Sequence, residues 1–171
     1  MIEQTSCVRS DIMETLDQYD RAILQELQHN GRLTNAELAQ RVSLSAAPCW
    51  RRVRALEAAG YISGYTAIIN RRKVGLGVLA FVRLDADRND DTATRELEAA
   101  LKARPEIIAC HYISGQGSFE LQVVCQDLDD YAEFARQVLI KLPHVKDLET
   151  RFSLGEVKNN APLSLAHLAK R

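Results

Sequence analysis

The sequence predicts an α+β protein with an N-terminal (winged) helix-turn-helix and a C-terminal ferredoxin-like βαββαβ domain. Apolar residues recur at spacings of three and four through residues 16–59, which is the period of amphipathic helices. From residue 76 onward, strand-like and helix-like patterns alternate twice. A chain of 171 residues, 46% apolar and 26% charged, is typical of one large or two small globular domains.

The first two predicted helices are defined by an apolar face and a capping box. Thr34 and Glu37 have capping-box spacing, in which each side chain satisfies the other residue's backbone N–H group. The short second helix therefore begins after Thr34, and the run Ser43-Leu44-Ser45 ends it. Gly31 is expected to end the first helix, whose apolar face consists of Leu16, Tyr19, Ile23, Leu24 and Leu27.

The third predicted helix spans residues 46–59, with Ser45 as its N-cap and Gly60 at its end. Pro48 is compatible with this helix because its missing N–H falls in the first turn, where that group has no helical partner. The inner stripe is formed by Cys49, Val53 and Leu56. A different face carries Ala47, Arg51 and Arg54, flanked by Trp50 and Arg52.

We expect residues 1–15 to be a flexible arm and residues 16–62 to be the helix-turn-helix domain, and the rest of the chain divides into a linker, a domain and a tail. Residues 63–75 are expected to be a linker or connecting strand, and residues 76–156 the βαββαβ domain. Both helices of that domain would cover one face of the sheet, so the bare face predicts at least a dimer. The tail, residues 157–171, is left open between a short helix and disorder. The predicted strands are 76–84, 107–114, 118–125 and 145–154, and the helices are 91–104 and 128–142.

A local excess of positive charge lies between Leu38 and Leu84, although the whole chain has a net charge of −1. Glu57 is the only acidic residue in that window. Such a block is expected where a protein contacts DNA phosphates, and the alternative is an arginine-rich solvated face. The basic residues in the window are Arg41, Arg51, Arg52, Arg54, Arg71, Arg72, Lys73 and Arg83.

A helix-turn-helix places its third helix in the major groove of double-stranded DNA, with the N-terminal residues towards the base edges. The alternative is a three-helix packing module with no DNA role. Arg52 could equally pair with Glu57 as with a phosphate, and Trp50 could belong to the core. The residues expected to contact DNA are Thr34, Ser45, Ala46, Ala47, Trp50, Arg51, Arg52 and Arg54.

A specific motif runs from the first helix into the linker. It consists of Leu16, Asp17, Asp20, Ile23, Leu24, Leu27, Gly31, Arg32, Glu37, Leu38, Ala39, Val42, Ser43, Leu44, Ser45, Pro48, Cys49, Arg52, Val53, Leu56, Glu57, Gly60, Tyr61, Ile62, Gly64 and Tyr65. In these residues the chain resembles the Lrp/AsnC (feast/famine, leucine-responsive) family of transcription regulators, over about residues 16–158. The family usually has glycine where this chain has Ser43, so serine is expected to strain the turn slightly.

The resemblance implies a cytoplasmic, nucleoid-associated homodimer that assembles into tetramers or octamers and bends DNA. It also implies a small effector, usually an amino acid, bound where sensing domains of neighbouring dimers meet. Many relatives have Gly-Asp-aromatic-Asp in the turn that begins here at Gly115, and loss of both acids means that leucine-like recognition should not be assumed. A plain glycine-rich turn is the alternative. The implied effector residues are Ser114, Gly115, Gln116, Gly117, Ser118 and Thr150.

Other classes of protein find little support in the sequence. No Walker loop, GxGxxG motif or metal-ligand pattern occurs, and the four histidines are dispersed, so neither an enzyme nor a cofactor or metal is expected. The four cysteines form no CxxC pair, which suits a reducing cytoplasm. No apolar run is long enough for a membrane span, and no secretory signal is expected. A constitutive architectural protein without an effector stays open as an alternative.

Overall fold

The structure is a computed structural model that describes residues 16–86, 91–114 and 119–169. The chain forms two compact units. One, the N-terminal unit, consists of Met1–Ile68 together with Lys158–Arg171, and the other, the central unit, consists of Ile69–Val157. The tail therefore belongs with the N-terminal helices, which its sequence did not indicate. The predicted flexible arm, residues 1–15, lies outside the described residues.

Two capped helices begin the N-terminal unit. Helix α1 (Gln18–His29) has Asp17 as its N-cap, and Asp17 and Asp20 form a reciprocal capping box. Helix α2 (Asn35–Arg41) follows Thr34, whose hydroxyl accepts from the Glu37 N–H while the Glu37 carboxylate accepts from the Thr34 N–H. The predicted capping box is thus confirmed.

Helix α3 (Ala46–Ala58) begins at Ser45 and contains Pro48 in its first turn, as predicted. Cys49 and Leu56 are buried, with Ile23 of α1 among the residues around them. The Asn35 Nδ2 donates to the Ala46 carbonyl over 2.8 Å, which ties the start of α2 to the start of α3. Packing against α1 and α2 around one small core therefore holds α3 in a fixed orientation.

The turn between α2 and α3 has the backbone strain expected from the sequence. Ser43 has a φ of 56°, in the left-handed region that glycine adopts without steric cost. The turn still closes, because the Leu44 N–H donates to the Ala39 carbonyl over 2.9 Å. Serine at this position strains the turn without opening it.

The segment after α3 forms no strand within the described part of the chain. Residues 63–70 form neither helix nor strand, and a 3-10 turn, Arg71–Val74, follows. Arg71 fixes that turn, because its guanidinium pairs with Glu156 and donates to the carbonyls of Leu76 and Gly77. The linker enters the central unit through this anchored turn.

The central unit is a four-stranded antiparallel sheet with two helices. Its strands are in the order β2-β3-β1-β4, as in a ferredoxin-like βαββαβ domain. The core lies between one sheet face and both helices, with Val82, Leu121 and Leu97 almost completely buried. The elements are β1 (Val78–Ala86), α4 (Asp91–Lys102), β2 (Ile107–Tyr112), β3 (Phe119–Cys125), α5 (Leu128–Gln137) and β4 (Val145–Phe152).

Helix α5 is shorter than the sequence predicts. It ends at Gln137, and a 3-10 turn, Leu139–Lys141, replaces the last predicted turn. Leu139 and Leu142 nevertheless remain buried, because a spacing of three places side chains on one side of a 3-10 turn. Pro143 favours extended backbone at the preceding residue, and Leu142 has φ −60° and ψ 139°.

The sheet face away from the helices is not uniformly apolar. Two ion pairs cross it, Arg83–Glu149 and Arg151–Glu120, each at 2.9 Å. Apolar residues on that face include Leu79, Phe81 and Val124. A partner that covers this face would have to match charges as well as apolar surface.

Candidate DNA interface and effector site

The outer face of α3 is a continuous exposed stripe. Ala47, Trp50, Arg51 and Arg54 are all exposed, and their spacings of three and four place them along one side of the helix. Trp50 is 55% exposed, so the alternative that it belongs to the core is wrong. A flat aromatic ring beside two guanidinium groups suits contact with DNA, where arginine reaches base edges and phosphates.

The residues before this stripe are exposed, but their side chains are used differently. Ser45 and Ala46 are exposed, and the Ser45 hydroxyl makes no hydrogen bond that caps α3. The Thr34 hydroxyl is occupied within its capping box, where it also donates to Glu37 over 2.7 Å. Ser45 therefore retains a donor for a ligand, whereas Thr34 is committed to α2.

Arg52 points away from the stripe. Its Nη1 lies 2.8 Å from Asp20 Oδ1 and 2.8 Å from Asp17 Oδ2, and its guanidinium lies over the Tyr19 ring. The pKa of Asp17 is lowered: partial burial opposes the shift, but backbone N–H donors at Asp20 and Tyr19 and the Arg52 charge outweigh it. The sequence interpretation of Arg52 as a DNA contact, or as a partner of Glu57, gives way to an ion pair that joins α3 to α1.

Glu57 pairs with Arg54 instead. The Arg54 Nη1 lies 3.0 Å from Glu57 Oε2, and the Tyr65 hydroxyl donates to Glu57 Oε1 over 3.2 Å. Burial and the bond to this carboxylate raise the pKa of Tyr65. Arg54 is therefore exposed but held, whereas Arg51 makes no ion pair with any residue that the structure describes.

Ser114 is the one residue of the expected effector turn that falls within the described ranges. Gly115, Gln116, Gly117 and Ser118 lie outside the described residues, and Ser114, just before them, is exposed.

Thr150 is half-buried on β4, on the face that packs against the helices. Its Oγ1 lies 2.5 Å from the Tyr131 hydroxyl, and the Tyr131 ring packs edge-on against Phe152. Burial raises the pKa of Tyr131, although the bond to Thr150 opposes this. This polar contact between Tyr131 and Thr150 was not predicted from the sequence.

Sheet register separates Thr150 from the start of β3 within one chain. Thr150 lies opposite Val82 on β1, while Phe119, where β3 begins after the turn, lies opposite Leu84. Because β1 lies between β3 and β4, two strand spacings of about 4.8 Å, roughly 10 Å in all, separate the two positions across the sheet. Within one protomer, Thr150 and the start of β3 therefore lie apart across the sheet.

The described ranges can be compared with what a metal site, a reactive thiol or a membrane span would require. They contain no group of three or more His, Cys, Asp or Glu that could hold a metal ion. Of the cysteines described, Cys49 and Cys125 are buried and Cys110 is exposed, and all three are free. Burial raises the pKa of each of these thiols, that of Cys125 to about 11. No helix in this part of the chain is long and apolar enough to cross a membrane.

Two family models match the chain. Residues 16–63 match a model described as winged helix-turn-helix DNA-binding. Residues 79–163 match the Lrp/AsnC ligand binding domain. The two matches coincide with the three-helix core and with the sheet domain and the first part of the tail.

Relatives and solved structures agree with these matches. The leucine-responsive regulatory protein of Salmonella typhimurium is 39% identical over 145 residues, which is 85% of this chain and 88% of that protein. A transcriptional regulator from Neisseria meningitidis, crystallised with L-methionine, is 38% identical with a TM-score of 0.86, covering 90% of this chain and 99% of that one. An AsnC family regulator from Agrobacterium tumefaciens is 29% identical with a TM-score of 0.84, covering 89% and 99%.

Proposed function

Because the chain belongs to the Lrp/AsnC family of DNA-binding transcription regulators, which are not enzymes, we propose that it recognises specific operator sequences through α3 and responds to a free amino acid. The observation that carries the DNA half of this proposal is the exposed stripe of Ala47, Trp50, Arg51 and Arg54. None of these four residues belongs to the core that the described residues of the N-terminal unit form.

The proposed roles along α3 follow from its geometry. Arg51 is the specificity contact, because an unpaired guanidinium can bond in bidentate fashion to a guanine edge in the major groove. Ala47 lets the backbone approach the bases or a thymine methyl group, and Ser45 and Ala46 lie at the helix start near the phosphates. Arg54 contacts a phosphate, with Glu57 limiting its freedom.

The proposed effector site is shared between chains. Ser114, Gly115, Gln116, Gly117 and Ser118 form one part, in which backbone N–H groups of a glycine-rich turn can hold a carboxylate. Thr150 forms another, with Tyr131 fixing its hydroxyl. Since Thr150 and the start of β3, which follows this turn, are about 10 Å apart across one sheet, we expect a single small effector to contact the two parts from neighbouring protomers.

The proposed effector is an amino acid with an apolar side chain. Support comes from the Neisseria meningitidis relative, which was crystallised with L-methionine. This chain lacks the two turn carboxylates that would bind an α-amino group, so the specificity of the leucine-responsive relatives does not transfer directly. L-Methionine is therefore the first probe, ahead of L-leucine.

The proposed mechanism is an equilibrium between homodimers and larger assemblies, tetramers or octamers, that bend DNA between half-sites. Two recognition helices in a dimer reach successive major grooves. An effector between protomers shifts this equilibrium only if it binds one assembly more tightly than the other.

Thermal unfolding of the purified protein against each of the twenty amino acids tests the effector proposal. A ligand at about 100 times its Kd should stabilise the protein by roughly 2.7 kcal/mol. Gly115→Leu, which crowds the turn, should abolish that stabilisation while operator affinity stays unchanged. A Gly115→Leu variant that still responds fully would move the proposed site elsewhere, and no response to any amino acid would refute an amino-acid effector.

A second candidate is a constitutive, nucleoid-associated architectural protein. The altered turn, in which Gln116 and Ser118 stand where many relatives have acids, favours it. It predicts DNA affinity and assembly size that no amino acid changes, so the same titrations, read by DNA binding, separate the two candidates.

A further inference from the structure

The C-terminal tail returns to the N-terminal unit and packs on α1. After β4 ends at Phe152, the chain leaves the central unit at Val157, and residues 158–168 belong with the helices. The N-terminal unit is therefore connected to the central unit by two chain segments, the linker and the tail. A single connection would leave that unit much freer to rotate.

The tail is held on α1 by side chain to backbone hydrogen bonds. The Gln28 side chain makes a reciprocal pair with Leu163: its Oε1 accepts from the Leu163 N–H over 2.6 Å, and its Nε2 donates to the Leu163 carbonyl over 3.3 Å. Arg21, two turns earlier, donates to the Leu168 carbonyl over 2.6 Å. These bonds attach the tail at two points five residues apart.

Apolar contact between the two attachment points is incomplete. Leu165 and Leu168 are half-buried, and the tail leaves a cavity of about 430 Å³ against α1. The start of the linker, at Tyr61 and Ile62, lines the same cavity. Both connections to the central unit thus meet beside α1, and an attachment whose leucines are half-buried or exposed can release and rebind.

We propose that residues 160–168 are a strap that docks on α1 through Gln28 and Arg21 and restrains the N-terminal unit. The strap follows β4, which carries Thr150, so a change at the effector site reaches the recognition helix through the strap as well as through the linker. This second part rests on the proposed function. Docking of the strap and restraint of the unit do not depend on it.

Three variants and one control test the strap. Gln28→Ala removes the reciprocal pair, Arg21→Ala removes the second attachment, and a chain ending at Asn159 removes the strap. Gln25→Ala is the matched control, because Gln25 is exposed on the same helix and its side chain bonds to no described residue.

Amide hydrogen exchange and the fluorescence anisotropy decay of Trp50, the only tryptophan, measure docking and restraint without effector or DNA. The Leu163 amide should be protected in the native protein and in Gln25→Ala, and should lose protection in Gln28→Ala. Trp50 should gain an additional nanosecond component in Gln28→Ala, Arg21→Ala and the shortened chain. An unprotected Leu163 amide in the native protein, or the same Trp50 decay in all five proteins, would overturn the strap.

The coupling part is tested by the ratio of operator Kd values with and without the effector. An allosteric ratio of about 5- to 150-fold in the native protein should persist in Gln25→Ala and fall below about twofold in Gln28→Ala and the shortened chain. An unchanged ratio in both would overturn coupling through the strap. A ratio of one in the native protein would refute the effector proposal and, with it, the coupling, while exchange and anisotropy still decide the strap.

Discussion

Alanine substitutions distinguish Arg52, which joins two helices, from its neighbour Arg51, which we propose to bind DNA. In the native chain Arg52 lies 2.8 Å from both Asp20 Oδ1 and Asp17 Oδ2, so one guanidinium joins α3 to the N-terminal end of α1. Arg51, the adjacent residue, is exposed on the outer stripe. We expect Arg52→Ala to destabilise the N-terminal unit and Arg51→Ala to weaken DNA binding without destabilising it.

The magnitude follows from the exposure of each partner. The Asp20 side chain is 12% exposed but that of Arg52 is 33% exposed, and because solvent screens the guanidinium, their charged hydrogen bond falls near the lower end of the about 1.5–3 kcal/mol typical of such bonds. Asp17 is 46% exposed, and solvent screening limits its pair to roughly 0.5 kcal/mol. The combined loss is about 2 kcal/mol, which lowers the melting temperature of a unit of this size by roughly 10 °C.

Trp50 fluorescence reports unfolding of the N-terminal unit selectively, because the chain has a single tryptophan. Denaturant titration should show the loss in Arg52→Ala and native stability in Arg51→Ala. Operator binding is measured well below the melting temperature. Its free energy should weaken by about 1–3 kcal/mol in Arg51→Ala and change little in Arg52→Ala. Native stability of Arg52→Ala together with a large loss of operator affinity would refute this assignment of the two arginines.

Three further changes have expected outcomes. Ser43→Gly should stabilise the protein by about 0.5–1 kcal/mol in denaturant titration, because it relieves left-handed strain of about 1–2 kcal/mol and adds a smaller entropic cost; destabilisation would contradict the strain at this turn. Because the pKa of Asp17 is lowered on folding, its stabilisation is complete above its ordinary pKa and is lost as the pH falls through the lowered value. Asp17→Asn should therefore flatten the acid limb of the stability–pH curve followed by tryptophan fluorescence, and an unchanged limb would count against that pKa shift. Gly77→Ala should destabilise the central unit by about 1–3 kcal/mol in thermal unfolding followed by circular dichroism, since its Cβ would lie 2.8 Å from the Gln126 carbonyl oxygen; native stability would mean that the backbone yields at little cost.

Local signals in the sequence were sufficient for most of the fold. The Thr34–Glu37 capping box fixed the start of α2, and Pro48 proved compatible with the first turn of α3. The C-terminal part of α5 was predicted too long, since a helical apolar stripe and the 3-10 spacing of Leu139 and Leu142 are alike in sequence. Periodicity detects burial more reliably than it detects which helical form provides it.

The features of the candidate site that could not be predicted from the sequence depend on contacts between residues far apart along the chain. Arg52 borders the exposed stripe, and only its contact with Asp17 and Asp20, more than thirty positions earlier, shows what holds it. The pairing of Gln28 with Leu163 spans 135 positions and has no local signature. The position of Trp50 on the exposed stripe likewise depends on which α3 face α1 and α2 cover.

The most direct test of the central claim combines DNA selection with effector titration. Duplexes enriched by the native protein from a random pool are titrated with and without L-methionine, then with the other amino acids, beside Arg51→Ala. We expect the enriched duplexes to bind at least about 10³-fold more tightly than scrambled ones, and one amino acid to change that Kd at least about fivefold. Failure to enrich any sequence, or a Kd that no amino acid changes, would contradict an effector-responsive, sequence-specific regulator.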